Sequence, residues 1–264
     1  MKIKPILHSV DIDNDFKSRE YKVSISIDTS VYEPDSDYKV FIEAESPSIK
    51  SEVSSWIKAN YQQFDLVLAF SPDILDVCSN SEKLIFGSCW IDLDTFVSDK
   101  KNEISFLTSS KAWTRGHLFR QEVFEYFKRR PSINEFSVRS LRTPPRIETK
   151  NEIFENAKFS IVIENDCHPN YITEKLIDCL ATKTIPIYCG SPTVGEYFDL
   201  SGIFTFNTIE ELEKILDNLT PEIYDNLREV IERNYKLSCD YFDFHKRVDD
   251  AIDRSIGHGA FIRY

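Results

Sequence analysis

Short apolar runs alternate with stretches of helical periodicity along much of the chain. The runs have the length and the β-branched and aromatic content of buried strands. They are Lys39–Ala44, Asp65–Phe70, Lys83–Trp90, Ile104–Leu107, Phe159–Ile163 and Thr184–Cys189. Because strands that alternate with helices form parallel sheets flanked by helices, the pattern predicts an α/β fold.

The segment Phe159–Cys189 predicts a complete crossover unit. Between its two apolar runs lies Thr173–Lys183, in which Leu176, Ile177 and Leu180 recur at helical spacing. A strand, a helix and a second strand in this order form a parallel βαβ unit. We therefore expect a polar loop at the carboxyl edge of a sheet, between the first strand and the helix.

After Gly202 the periodicity becomes helical almost to the end of the chain. The candidate helices are Ile209–Leu219, Pro221–Tyr235 and Tyr241–Ile256. Upstream, the paired prolines in Ser140–Ile147 interrupt both helices and central strands. That segment marks either a domain boundary or a loop within one domain.

The composition is that of a globular protein with a real core, since 41% of the 264 residues are hydrophobic. No apolar run reaches the roughly 18 residues that a membrane span needs, and Met1–Val10 lacks the apolar core of a secretory signal. The six cysteines include no C-x-x-C pair and suit small buried hydrophobes rather than zinc ligands or disulfides. We therefore predict a soluble, cytoplasmic protein.

The charge distribution is uneven. The net charge of −12 makes nucleic acid an unlikely partner. The segment Lys111–Lys150 nevertheless carries ten basic and four acidic residues. This local excess of positive charge is either a solvated helix face followed by a charged loop, or a site for an anionic ligand.

The end of the strand Phe159–Ile163 is the strongest candidate for chemistry. Glu164 and Asn165 follow the strand, and Thr173 can cap the helix at the sheet edge where α/β proteins bind phosphates. Lys175 stands in the first turn of that helix, where the helix dipole disfavours a cation. Such a lysine is favourable beside a bound anion and otherwise is an exposed side chain with a small cost.

Three motifs in this segment carry a family resemblance. They are Ile163-Glu164-Asn165, Tyr171-Ile172-Thr173-Glu174-Lys175, and Ile185-Pro186-Ile187-Tyr188-Cys189-Gly190-Ser191-Pro192. Their sequence and spacing closely resemble the donor-binding signature of the family 10 glycosyltransferases, the α1,3/α1,4-fucosyltransferases. Ser109–Phe127 and the motif Ala44-Glu45-Ser46-Pro47 resemble two further segments of that family in the same order.

The resemblance implies a GT-B type α/β fold with two Rossmann-like domains that face each other across a cleft. We expect an acceptor-side domain at 1–100, a donor-binding domain at 101–240, and a C-terminal helix at 241–264 that packs back on the first domain. The implied activity is transfer of fucose, with inversion, from GDP-fucose to a hydroxyl of an acceptor glycan. Neither a metal nor another cofactor is expected.

The resemblance also assigns roles to individual residues. Glu45 corresponds to the proposed catalytic base, with Glu43 as the alternative. Arg120 best fits an arginine that binds the donor diphosphate through its planar fork, and Arg115 is second. Glu174 is expected to hold the ribose. The full set of expected donor-binding residues is Arg120, Arg115, Glu164, Asn165, Tyr171, Thr173, Glu174 and Lys175.

Other interpretations of the same sequence stay open. A metal-dependent transferase would carry an Asp-x-Asp motif, and such triplets occur in this chain, among them Asp11-Ile12-Asp13, Asp35-Ser36-Asp37 and Asp92-Leu93-Asp94. In a chain with 44 acidic residues such triplets arise easily. The same fold could serve another nucleotide sugar or a non-glycan acceptor, or it could bind nucleotide or glycan without turnover. The acceptor, the linkage and the oligomeric state are left open by the sequence.

Overall fold

The computed structural model describes residues 23–31, 35–143 and 149–260. These residues form two compact units. Unit 1 comprises the described residues up to Phe86 and those from Asp243 onward, and unit 2 comprises the described residues of Gly87–Phe242. Each unit is built on a sheet of its own.

Unit 1 contains a four-stranded parallel sheet. In order across the sheet its strands are β1 (Val23–Ile27), β2 (Tyr38–Ile42), β3 (Leu66–Ala69) and β4 (Ser81–Lys83). Its helices are α1 (Ser51–Asn60), α2 (Pro72–Val77) and the C-terminal helix (Phe244–Ala260).

Both faces of this sheet are covered by helices. Val40 and Ile42 of β2 pack in one cluster with Ile252 of the C-terminal helix. Phe41, between them, packs in a second cluster with Ile57 of α1. Successive residues of a strand face opposite sides of a sheet, so a continuous apolar run is what a strand buried on both faces requires.

Unit 2 contains a six-stranded sheet in which all neighbours are parallel except one antiparallel pair at the edge. Across the sheet the strands are β10 (Phe204–Thr205), β9 (Ile185–Cys189), β8 (Ala157–Ile163), β5 (Lys101–Ser109), β7 (Phe136–Thr143) and β6 (Ser132–Ile133). The helices are α3 (Arg115–Lys128), α4 (Asn151–Phe154), α5 (Glu174–Ala181), α6 (Ile209–Asp217), α7 (Pro221–Asn226) and α8 (Arg228–Cys239).

Five of the six predicted strands are confirmed, with ends that differ by a few residues. The βαβ unit is confirmed as β8, α5 and β9. The core of unit 2 includes Ile161 of β8, Ile187 of β9 and Phe106 of β5, all nearly inaccessible to solvent. A hydrophobic layer against the sheet therefore holds the strand ends that carry the polar loops.

The strand predicted at Lys83–Trp90 is wrong beyond its first residue. β4 ends at Lys83, and after the amide of Leu84 donates to the carbonyl of Ala69 at 2.9 Å the chain has no strand structure up to Trp90. Leu84 and Ile85 are buried although they lie beyond the end of the strand, so their apolar character reflects burial rather than strand pairing. The prediction failed because an apolar run shows burial but not backbone conformation.

The helix predicted at Pro221–Tyr235 is divided in the structure. Leu227, with φ −96° and ψ 12°, separates α7 from α8. The other two predicted C-terminal helices are confirmed as α6 and the C-terminal helix.

Candidate functional site

The buried carboxylate of Glu164 organises the loop between β8 and α5. It follows the last residue of β8 and is 1% exposed. Its Oε1 accepts a hydrogen bond from the backbone N–H of Thr173 at 2.9 Å, and its Oε2 accepts one from the Thr173 hydroxyl at 2.6 Å. Burial raises the pKa of Glu164. Since Thr173 is also the N-cap of α5, Glu164 fixes the start of that helix to the end of the strand.

Lys175 is held at this helix start by two carboxylates. Its Nζ lies 3.1 Å from Oε1 of Glu174 and 3.7 Å from Oε2 of Glu164, and it donates to the hydroxyl of Thr173 at 3.1 Å. Burial by itself would raise the pKa of Glu174, but the charges of Lys175 and Lys150 lower it to about 2. Glu174 is therefore ionised at neutral pH and keeps Lys175 in place.

A second lysine, Lys150, belongs to this cluster although it lies outside the segment Phe159–Cys189. Lys150 Nζ lies 2.9 Å from Oδ2 of Asp178 and 3.6 Å from Oε1 of Glu174, and it sits 4.3 Å from the ring centroid of Trp90. Asp178 also accepts the backbone N–H of Trp90 at 2.6 Å, and burial raises its pKa to about 6. Two signals pointed toward this contact: Lys150 ends the basic segment Lys111–Lys150, and Asp178 follows Glu174 by four residues on one helix face.

Arg120 belongs to the same cluster and is 6% exposed. Its Nη1 donates to the carbonyl of Ile163 at 2.9 Å and its Nη2 to Oδ1 of Asn165 at 2.7 Å. Its Nε is buried without a hydrogen-bond partner. Burial lowers the pKa of Arg120. The guanidinium thus holds the end of β8, and its Nε–H has no acceptor among the described residues. Arg115, the other predicted arginine, is exposed at the first residue of α3.

The first turn of α3 crosses the end of β8 at very close range. The N–H of Gly116 donates to the carbonyl of Asn165 at 3.2 Å. A Cβ at position 116 would lie 2.0 Å from the carbonyl oxygen of Glu164, which no side chain tolerates. Gly116 was not singled out by sequence analysis. The available clue was that it lies in Ser109–Phe127, a segment that resembles the family.

Tyr171 lies in the loop between β8 and α5. It is 1% exposed, and its hydroxyl accepts from Nδ2 of Asn165 at 3.5 Å. The structure therefore places seven of the predicted donor residues in two adjacent bonded groups, which meet along the chain at Glu164-Asn165. One group contains Arg120, Asn165 and Tyr171, and the other contains Glu164, Thr173, Glu174 and Lys175.

In unit 1 the two candidate bases differ in environment. Glu43 is 4% exposed; its Oε2 accepts from the N–H groups of Phe70 (3.0 Å) and Ser71 (2.8 Å), and its Oε1 from the Ser71 hydroxyl. Burial raises the pKa of Glu43 to about 7. Glu45 is half-buried and lies beyond the end of β2, which is Ile42. Both glutamates line one small cavity.

The described residues show neither a metal-binding cluster nor a membrane-spanning helix. No three His, Cys, Asp or Glu side chains there are grouped so that they could hold a metal ion. The Asp11-Ile12-Asp13 triplet lies outside the described residues. Within the same part of the chain, no helix has the length and apolar character that a membrane crossing requires. The absence of an essential metal remains a prediction.

The two sheets, each covered by helices, define the fold as α/β of the GT-B type, as predicted. The crystal structure of TarM resembles the chain with a TM-score of 0.53 at 8% identity, over 84% of this chain and 51% of that one. A crystal structure of an α1,3-fucosyltransferase with GDP is similar with a TM-score of 0.49 at 19% identity, over 75% and 66% of the two chains.

Residues 97–246, more than half of the chain, match the family model for glycosyltransferase family 10 (fucosyltransferase), C-terminal part. The chain therefore belongs to glycosyltransferase family 10, a family of enzymes, and the predicted membership is confirmed. It is 34% identical over 71 residues to alpha-(1,3)-fucosyltransferase FucT of Helicobacter pylori and 39% identical over 80 residues to alpha-(1,3)-fucosyltransferase B of Drosophila melanogaster. Each match covers 27% of this chain, but only 15% and 18% of the two relatives.

Proposed function

We propose that this chain binds GDP-fucose through the loop and helix start that follow β8, and transfers fucose with inversion to a hydroxyl of an acceptor glycan. The observation that carries the proposal is the Lys175 ammonium, held by Glu164 and Glu174 at the N-terminus of α5. A helix N-terminus and a fixed cation together suit a phosphate group. The donor names in the related structures and sequences support the nucleotide and the sugar.

The charge of the whole chain makes this local arrangement significant. The net charge of −12 repels a diphosphate, so a site that binds one needs positive charge placed locally. Lys150 and Lys175 share the carboxylate of Glu174, and Arg120 is a third cation at the end of the strand that leads into this loop. The buried Nε of Arg120 has no acceptor among the described residues, and a phosphate oxygen would provide one. Arg115, exposed at the start of α3, is the second arginine proposed for the diphosphate.

The proposed reaction is a single displacement. The acceptor oxygen attacks the sugar carbon that carries the diphosphate, the carbon–oxygen bond to the diphosphate breaks, and GDP leaves with the electron pair. The acceptor proton passes to Glu45, and Lys175 and Arg120 stabilise the charge that develops on the departing diphosphate. Glu174 is proposed to hold the ribose. The role of Glu45 rests on the Glu45-Ser46-Pro47 motif that resembles the family.

Glu43 is the weaker candidate for the base. Its carboxylate already accepts two backbone N–H groups and the Ser71 hydroxyl, which commits both oxygens to holding the end of β3. A general base needs an oxygen that can reach the acceptor hydroxyl. Glu45 is the more accessible of the two and is the residue we propose.

Calorimetric titration tests the donor class. GDP, GDP-fucose, GDP-mannose and UDP-glucose are titrated with and without EDTA, and we expect the guanine nucleotides to bind equally well in both conditions. Binding of UDP-glucose alone, or of none of the four, would refute the proposed donor. Strict loss of binding with EDTA would refute metal independence.

Substitution then tests the residues. Lys175→Ala and Arg120→Ala should each weaken GDP binding by about 30- to 100-fold, which is the size expected when a charged hydrogen-bond donor is lost. Lys236→Ala, which removes an exposed lysine from the last turn of α8, is the matched control and should bind as the wild type does. Wild-type affinity in both test variants would exclude these roles.

A further inference from the structure

Asp28 forms an unusual junction in unit 1, immediately after β1 ends at Ile27. Its backbone has φ 46°, in the left-handed region that non-glycine residues seldom occupy. Its amide donates to the carbonyl of Ile42 at 3.0 Å and so extends the pairing of β1 with β2 by one step. The left-handed backbone then places the carboxylate beside the segment that follows β2.

The carboxylate of Asp28 holds two consecutive amides of that segment. Its Oδ1 accepts the N–H of Ala44 at 3.0 Å and its Oδ2 accepts the N–H of Glu45 at 2.9 Å. Two charge-assisted bonds to adjacent amides fix the orientation of the peptide that carries the Glu45 side chain. A left-handed conformation is unfavourable for a residue other than glycine, so surrounding contacts must maintain it.

We propose that Asp28 is a positioning residue that fixes the backbone of Glu45 for proton transfer, an inference that rests on the proposed role of Glu45 as the base. The charged side chains that share its cavity are Glu43, Glu45 and Lys50. Glu43 bonds to the end of β3 instead, so the structure assigns the Glu45 peptide to Asp28. Sequence analysis missed Asp28, because it lies 16 residues from Ala44 along the chain.

Two substitutions at position 28 test the proposal in a graded way. Asp28→Asn tolerates the left-handed backbone and keeps one acceptor oxygen, whereas Asp28→Gly favours that backbone and removes both acceptors. The control is Asp65→Asn, because Oδ2 of Asp65 accepts the N–H of Lys39 at 2.8 Å, near the opposite end of β2 from Glu45. All three variants are made in the full chain.

The readouts separate positioning from folding. GDP release from GDP-fucose is measured with a panel of oligosaccharides of varied composition and with water as acceptor. We expect kcat to fall about 10-fold in Asp28→Asn and about 100-fold in Asp28→Gly, since small displacements of a reacting group cost this much. KM for GDP-fucose and the Kd for GDP should stay within about 2-fold of the wild type, because unit 2 is unaltered. Asp65→Asn should change none of these values.

Amide hydrogen exchange provides a readout that needs no acceptor. The amides of Ala44 and Glu45 should exchange at least about 10-fold faster in Asp28→Gly and at the wild-type rate in Asp65→Asn. Wild-type kcat in Asp28→Gly, or unchanged exchange at those two amides, would overturn the proposal. Equal loss of activity in Asp65→Asn would also overturn it, because the effect would then be one of folding. A wild-type chain that releases no GDP from any GDP-sugar would instead refute the proposed function, and exchange would still decide whether Asp28 fixes the loop.

Discussion

Each unit ties a strand end to the following helix with a buried carboxylate. In unit 1, Glu43 accepts the amide and the hydroxyl of Ser71, the N-cap of α2. In unit 2, Glu164 accepts the amide and the hydroxyl of Thr173, the N-cap of α5. The difference is that Glu164 has a lysine, Lys175, 3.7 Å away. Both carboxylates bind an N-cap, but Glu43 comes from the strand beside the one that leads into its helix, whereas Glu164 comes from the strand that leads into its own, and the charge balances differ.

The charge balance decides what each edge can do. In unit 1, burial raises the pKa of Asp28 to about 6 and that of Glu43 to about 7, so these carboxylates are poised to take up protons. In unit 2, Lys175 and Lys150 overcome the effect of burial and hold the pKa of Glu174 at about 2. The first edge therefore carries carboxylates that change charge near neutral pH, and the second suits a fixed cation for an anionic ligand.

The largest expected effect comes from Gly116→Ala, which breaks the unit 2 edge alone. The added Cβ would lie 2.0 Å from the carbonyl oxygen of Glu164, so α3 or β8 must move. We expect a loss of more than about 3 kcal/mol in the free energy of unfolding, together with loss of GDP binding. Urea denaturation and calorimetry measure the two effects.

The control for that substitution is Gly257→Ala in the C-terminal helix. A Cβ at position 257 meets nothing within 4 Å, so alanine should stabilise the helix by up to about 1 kcal/mol through its higher helix propensity. Wild-type stability in Gly116→Ala would show that the contact between α3 and β8 is looser than the structure has it.

The second prediction concerns Glu43 and the dependence of the free energy of unfolding on pH. The folded-state pKa of Glu43, about 7, lies above its ordinary value of 4.5, so folding favours the protonated form. Its stabilising contribution is complete below pH 4.5 and is lost as the pH rises through 7, a change of about 3 kcal/mol. Glu43→Gln cannot titrate. The free energy of unfolding of the wild type should therefore fall relative to Glu43→Gln by about this amount between pH 4.5 and pH 8.

The measurement is urea denaturation of both proteins at several pH values. The difference between the two proteins cancels the other titrating groups, such as Lys100, whose pKa burial lowers to about 7. A stability difference between the two proteins that does not vary with pH would contradict the raised pKa of Glu43.

The βαβ unit of the donor edge could be predicted from sequence because its signals are local. The strands β8 and β9 are apolar runs, and Thr173 caps a helix whose apolar residues recur at helical spacing. Glu164, Thr173 and Lys175 lie within a dozen residues of one another, so their spacing alone brought them to one sheet edge. This is why the family motif and the hydrogen-bond network coincide.

Other contacts could not be predicted because they join distant segments. Lys150 reaches Asp178 across 28 residues of sequence, and the buried arginine Arg120 reaches Asn165 across 45. Only the folded sheet brings such pairs together. The wrong strand at Lys83–Trp90 also reflects distant contacts: beyond the end of β4 the chain is mostly buried without strand pairing, and Gly87 packs against Ile177, where a Cβ would lie 3.0 Å from Cγ1.

The smallest effects are expected from the two caps, and they compare the units most directly. Ser71→Ala and Thr173→Ala each remove an N-cap hydroxyl that donates to a buried carboxylate, and each should cost about 2 kcal/mol. Thr208→Ala removes the cap of α6, whose hydroxyl accepts the amide of Glu211 at 3.2 Å, and should cost about 1 kcal/mol.

The caps should differ in ligand binding. Thr173 also accepts a hydrogen bond from the ammonium of Lys175 at 3.1 Å, so Thr173→Ala should weaken GDP binding about 10-fold. Ser71→Ala should leave GDP affinity unchanged, because Glu43 and its partners lie in unit 1. Equal GDP affinity in the two variants would mean that the lysine keeps its position without the cap. The contrast between the two edges would then depend on Glu164 and Glu174 alone.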